Sequence, residues 1–413
     1  MKFVNITRVL RSVLTRVLFG VVALCAMAIF GGCGGGSDGD VDDLDDEASA
    51  ITVAGPHYSI DGNLVNITGA GDYVVSGALS DGGIVVDAPG EEVRVILSGV
   101  TIANSRGPAI FARDASVVTV VVSEGTRNVL SDGGADEDHD AAIFSSVPLV
   151  IDGDGDLSVT GNNQEGIASD STLVVNGGRI RVTAVDDGLN SGEGIVIDGG
   201  YIFVDADGDG IDSNAHLTIN GGTVISHGGA GDGGLDVDDG FRLSLNGGLI
   251  IATGDSNARP DESSAQKYML LNFATSQASG TIIHIEKSDG TEVVTFSPHG
   301  DYREFLFSSG GLSAGVSYSV YSGGTSGGYE QDGLYTGGSY GGGARQSHFD
   351  GGSADESFVI SGAGGVFNLG EGQPDQGSPG GPQPSNGLPP RDRVQYCFAF
   401  LCKTGRHIYN KKD

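Results

Sequence analysis

Between residues 50 and 260 apolar and polar positions alternate in short runs, and the runs recur. TLVVN, GIVID, HLTIN and RLSLN form one series, and RIRVTA, YIFVDA, TVISH and LIIATG another. Alternation over four to six residues sends one set of side chains to a buried face and the other outward, as in short strands bounded by turns. The markers between the runs keep phase. Gly166-Ile167, Gly188-Leu189, Gly210-Ile211 and Gly234-Leu235 follow at steps of 22, 22 and 24, and Ala142-Ile143 stands 24 residues earlier. Asn176-Gly177-Gly178, Asp198-Gly199-Gly200, Asn220-Gly221-Gly222 and Asn246-Gly247-Gly248 run alongside.

A unit of about 22 residues with several short strands and no room for a helix predicts the coil of a right-handed parallel β-helix. Leucine-rich repeats share the period, but their Leu-rich consensus is absent. The β-helix is expected over residues 51–260, with the same texture and looser spacing in 56–130. Ile110 and Ile143 are 33 residues apart, and the surplus is assigned to the loop DGGADEDHD at 132–140. From about Ser264 the glycine corners stop. LLNFA, TIIHIEK, EVVTFSP, REFLFSS and SYSVYSGG predict a small antiparallel β module over 264–362, placed to cap the open end of the helix and its unpaired backbone groups. Residues 363–390, rich in Gly, Pro, Gln and Ser, read as a disordered linker. The basic tail, 391–413, carries six bases and two acids, with Cys397 and Cys402 as candidates for a local disulfide, and suggests no function.

The first 33 residues read as an address rather than as fold. Lys2, Arg8, Arg11 and Arg16 precede an apolar run, Val17 to Phe30, of signal-peptide length and short for a membrane span. The run ends in Phe30-Gly31-Gly32-Cys33 ahead of an acidic, glycine-rich linker over 34–50. This order resembles a bacterial lipoprotein signal in which Cys33 is lipidated, with Phe30 in place of the usual Leu. The alternative is an ordinary secretory signal. Either predicts export, and the first predicts anchoring to the outer membrane or cell surface through the N-terminal lipid alone.

The charge narrows the partners. With 54 acids, 22 bases and a net charge of -32, the chain lacks what is needed to displace counterions from nucleic acid. A cation or cationic surface suits it better. Residues 140–255 hold 19 Asp and Glu against Arg179, Arg181 and Arg242, with no Lys. Glu165, Asp187 and Asp209 stand just before the glycine corners, Asp140, Asp186 and Asp232 one or two places earlier, and Asn190, Asp212 and Asp236 just after. Equivalent residues of neighbouring coils lie about 4.8 Å apart. Unit charges at that distance repel by about 1 kcal/mol in water and about 3 kcal/mol at a partly shielded surface. Calcium takes six to eight oxygens from such groups. The candidate ligands are Asp186, Asp187, Asn190, Asp209, Asp212, Asp232 and Asp236. The competing reading is that these Asp and Asn cap turns by bonding backbone. Asp205 to Gly210 matches half an EF-hand loop, but position twelve is His216 and no helices flank it.

The DG(I/L)xS corners, the NGG turns and AVDDGLN resemble the bacterial secreted β-helix group of carbohydrate-binding domain-containing proteins, similar in fold to pectate lyases. The similarity covers about residues 50–360. It implies binding of plant or microbial polysaccharide, with acidic sugars and calcium as the favoured chemistry.

Three readings follow. The first is a non-catalytic binding protein for acidic polysaccharide, with Arg179, Arg181 and the loop tyrosines Tyr321, Tyr329, Tyr335 and Tyr340 as sugar contacts. The second is a calcium-dependent lyase, which needs a strong base beside the metal, here Arg179, Arg181 or Arg242. The third is a surface adhesin rigidified by calcium.

Overall fold

The structure is a computed structural model that describes residues 51–134, 139–350 and 353–370. The features expected in residues 1–50 and 371–413, Cys33, Cys397 and Cys402 among them, lie outside the described residues. All regular structure among those described is β.

The repeat is a coil of three strands that lie on three faces. In one coil these are Glu165–Ser169, Thr172–Val175 and Arg179–Ala184, and in the next Leu189–Ser191, Gly194–Ile197 and Tyr201–Ala206. Each strand pairs in parallel with its equivalent one coil away, so the sequence period becomes spatial register: Ile143, Ile167, Leu189, Ile211 and Leu235 form one column. That column is wholly buried, as are Leu173, Ile195, Leu217 and Leu243 on the second face and Ile180, Ile202, Val224 and Ile250 on the third. The core is thus a stack of like aliphatic side chains, whose burial stabilises each coil only against its neighbours.

The corners explain the glycines. Gly178, Gly200, Gly222 and Gly248 hold φ of 94°, 90°, 83° and 91°, a region costly for residues with a Cβ. The stacking adds a second restriction. A Cβ on Gly222 would stand 2.6 Å from the Gly200 carbonyl oxygen, and one on Gly248 2.6 Å from that of Gly222. At the corner after the first face a column of serines, Ser145, Ser169, Ser191 and Ser213, is buried. Their hydroxyls donate to carbonyls of the following turn, as from Ser145 to Val147 O (2.6 Å) and from Ser191 to Gly194 O (2.9 Å).

The looser early coils have a structural cause. One long strand, Glu92–Ala103, serves two faces, pairing with both Val117–Val122 and Arg127–Ser131. Buried Asn128 accepts from Gly99 N and Val100 N at the bend. Ile143 pairs with Ile110 despite the longer interval, so the register of the column is kept across it.

Both ends of the stack are closed by antiparallel strands. Thr52–Ala54 pairs with Gly71–Leu79, and Tyr58–Asp61 with Leu64–Ile67. At the other end Leu249–Gly254 is paired antiparallel by Tyr302–Ser308, which pairs in turn with Tyr268–Gln277. A second sheet, containing Ile283–Lys287, Glu292–Phe296 and Ser317–Ser322, then packs over outward residues of the third face. Phe203, Ile225 and Ile251 join Ile283, Phe296 and Val320 in this second core. The C-terminal region therefore covers the third face as well as the end of the helix.

Candidate functional site

The acidic residues gather where the third face turns into the first. There the chain passes from Ala184 through Asp186, Asp187 and Gly188 to Leu189, and one coil on from Ala206 through Gly208, Asp209 and Gly210 to Ile211. The backbone N–H of Asp209 donates to Asp187 Oδ1 at 2.8 Å, and that of Gly233 donates to Asp209 Oδ1 at 2.6 Å. These carboxylates do cap backbone groups, but groups of the next coil rather than their own turn.

A second acidic column lies beside the first, on the outward side of the first face. Ala168, Asn190, Asp212 and Asp236 stand in register. Asn190 ties the columns together, its Nδ2 donating to Asp187 Oδ2 and to Asp212 Oδ2, each at 3.0 Å. Further down, Gln164 Nε2 donates to Asp140 Oδ2 at 3.1 Å, and Glu165 Oε2 is a buried atom without a hydrogen-bond partner.

The electrostatic cost is large because burial and repulsion act in the same direction. Burial, with Asp187, Asp232 and Asp140 nearby, pushes Asp186 up to about 6. Burial and the charges of Asp236, Asp187 and Asp232 bring Asp209 to about 7, against the opposing bond from Gly233. Asp212 reaches about 8 through burial and its acidic neighbours Asp187, Asp209 and Asp236. Glu165 rises to about 9 through burial and Asp140. Asp187 and Asp236 are raised as well, burial again leading. Among the described residues no arginine or lysine is ion-paired with any of these acids.

The donor set is oxygen throughout, which suits a hard cation. A Cβ on Gly208 would meet Asp186 Oδ1 at 2.6 Å and Asp187 Oδ1 at 2.7 Å, so glycine lets both carboxylates pack against this turn. Among the described residues no three His, Cys, Asp or Glu side chains close around one point. A cation at this corner would therefore be held by pairs of carboxylates and completed from outside, not enclosed in a cage of side chains. Asp186, Asp187, Asp209, Asp212 and Asp236, with Asn190 Oδ1, would supply the protein's share. Asp232 is half-buried at the edge of the corner, where its charge raises Asp186, Asp187 and Asp209.

The candidate arginines lie elsewhere. Arg179 and Arg181 project outward from the third face, over the rings of Tyr201 and Phe203 at 4.5 and 5.2 Å. Arg181 grips Asp332 of the C-terminal region with two contacts, Nη1 to Oδ1 at 2.5 Å and Nη2 to Oδ2 at 2.6 Å, and the Tyr201 hydroxyl donates to the same carboxylate at 2.6 Å. Burial pushes Asp332 up, yet the bonds from Arg181 and Tyr201 more than offset it and hold its pKa below the ordinary carboxylate value. Arg242 is exposed on a different turn, 3.6 Å from Asp261.

The four tyrosines are also apart from the acidic corner. Tyr329 is exposed, and Tyr335 lies in a hairpin opposite Glu330. Tyr321 and Tyr340 line a cleft in the C-terminal sheet with His284, Glu286 and Glu292. Asp332 and Tyr201, which anchor the two arginines, gave no local signal in the sequence, because their contact spans 131 residues.

Fold and site together define a parallel β-helix that presents an acidic ladder along one corner, a surface suited to an extended ligand. The chain belongs to the family of carbohydrate-binding domain-containing proteins, whose profile matches residues 61–340. A protein of that description from Acetivibrio thermocellus is 34% identical over 173 residues, a match covering 37% of this chain and 60% of the relative's length. Among solved structures, a gadolinium derivative of a polysaccharide lyase-like protein from C. thermocellum is 28% identical with a TM-score of 0.40. That match covers 46% of this chain and 85% of the other.

Proposed function

We propose that this protein binds acidic polysaccharide without cleaving it, through calcium held at the acidic corner. The observation that carries the reading is the pair of in-register columns, Asp187 and Asp209 beside Asn190, Asp212 and Asp236, half-buried and, among the described residues, unpaired with lysine or arginine. Stacked carboxylates of this kind are stable either protonated or with a counterion. Calcium bound there would neutralise them and accept sugar carboxylates into the positions the protein leaves open. The protein's own residues fix the geometry: Asn190 holds Asp187 and Asp212 together, and the backbone of the next coil holds Asp187 and Asp209. Repetition along the corner suits a polymer of repeating charge.

The placement of the arginines supports binding over cleavage. A lyase base must reach the proton next to the sugar carboxylate, whereas Arg181 is committed to Asp332 on the third face. Export and lipid anchoring at Cys33 belong to the same proposal and rest on the sequence alone.

The test is calorimetric titration with polygalacturonate, with and without calcium, while ultraviolet absorbance follows unsaturated products. Calcium-dependent heat with flat absorbance is the expected result. A steady rise in absorbance would make the protein a lyase, and the absence of heat with either calcium or glycan would leave a structural role.

A further inference from the structure

The C-terminal sheet contains a cleft of about 420 Å³ with a chemistry of its own, within the range of small-molecule sites. Its floor is His284, buried and stacked on Tyr340 with ring centroids 4.1 Å apart and planes 11° from parallel. Thr295 Oγ1 lies 2.7 Å from His284 Nδ1 and fixes the ring, which leaves Nε2 3.6 Å from Glu286 Oε2. Glu292 flanks the other edge, its Oε2 3.8 Å from Nδ1. Tyr321 adds a third ring 6.1 Å from Tyr340 and donates its hydroxyl to Glu286 Oε1 at 3.0 Å. The far wall is backbone, Gly338 and Gly341 to Gly343, and a Cβ on Gly343 would run into Tyr340 Oη.

Among the described residues the lining holds two carboxylates and no lysine or arginine. The nearby Arg345 is spent on Glu356 at 3.0 Å and Ser319 at 3.1 Å. Ring faces attract cations through their quadrupoles, and carboxylates at the edges accept from an ammonium group, which has three donors and no acceptor. A cationic ligand would meet both carboxylates, whose partners within the cleft are the Tyr321 hydroxyl and the His284 ring.

We infer that this cleft is a binding site for a protonated amine carried on a small organic ligand, with Tyr321, Tyr340 and His284 as its aromatic walls and Glu286 and Glu292 as its counter-charges. The inference stands on the cleft alone and is independent of the acidic corner. The amine can come from an amino sugar or from a free polyamine, and the cleft reads the charge common to both.

The experiment is calorimetric titration of the intact protein with the glucosamine dimer, its N,N′-diacetylated form, and cadaverine as an amine without a sugar. The dimer is expected to bind, and its diacetylated form, which has lost the charge, to bind at least about tenfold more weakly. E286Q combined with E292Q is expected to cost about tenfold or more, whereas D209N combined with D212N, at the corner, changes nothing. Cadaverine matching the dimer would assign the site to free amines; much weaker cadaverine binding would assign it to amino sugars. Equal binding of the acetylated form, unchanged binding in the Glu variant, or no binding of either amine would overturn the inference.

Discussion

Asp187 accepts the backbone N–H of Asp209 on its Oδ1 at 2.8 Å, so the carboxylate of one coil supports the corner of the next. The same bond brings a second carboxylate within range of the first. Stacking register and charge repulsion are therefore products of one feature, and the repulsion sets up the first prediction.

Without calcium, stability should fall as the pH rises. Asp186, Asp209, Asp212 and Glu165 have folded pKa values raised to about 6, 7, 8 and 9. A carboxylate with a raised pKa binds its proton more tightly in the folded state. The stability it contributes is fully present below the unfolded value near 4 and is lost as pH climbs through the folded value. The melting temperature of chelator-treated protein should accordingly be higher at pH 5 than at pH 9, with calcium closing most of the gap. A melting temperature that does not fall between those pH values would contradict the charged-corner account.

Asp212→Asn keeps the hydrogen bond from Asn190 while removing one charge. Without calcium at pH 8 the variant should be more stable by about 1 kcal/mol, the order of repulsion between charges one strand apart. Its calcium affinity should fall by about tenfold or more. Denaturant unfolding and calcium titration of the same preparation measure both effects, and they should move in opposite directions.

Gly222→Ala should cost about 2 kcal/mol or more, because a Cβ there meets both a positive φ of 83° and the Gly200 carbonyl at 2.6 Å. Ile211→Ala should cost about 2–5 kcal/mol from a fully buried column position. Thermal unfolding monitored by circular dichroism tests both.

Asp332→Ala leaves Arg181 and Tyr201 without their shared acceptor and should destabilise the cover over the third face by about 2 kcal/mol. Calcium and glycan binding should be unchanged. Arg181→Ala should behave alike; loss of glycan binding in that variant alone would return Arg181 to the site.

Much of this was legible in the sequence. The glycine and aliphatic markers recur with the coil, so Ile167, Leu189, Ile211 and Leu235 could be placed in one column before any coordinates. The acids could be assigned to a corner for the same reason. What lay hidden was the cover on the third face. Its signal was a broken alternation: Arg179–Ala184 alternates, but Ile202-Phe203-Val204, Val224-Ile225 and Ile250-Ile251 are consecutively apolar, because both sides of those strands are buried. Arg181 looked available because Asp332 is 151 residues away, a distance no local pattern spans. The Glu286 and His284 cleft was equally invisible, being assembled from strands paired by register rather than by repeat.

If the paired acidic columns hold a cation which in turn holds the glycan, removing charge from both columns must abolish glycan binding. The most direct measurement is the heat of polygalacturonate binding at saturating calcium, for the native protein and for a variant carrying D187N and D212N. The expected result is a calcium-dependent heat in the native protein that disappears in the variant while the fold is retained. Equal heats in both proteins would place the glycan elsewhere and contradict it.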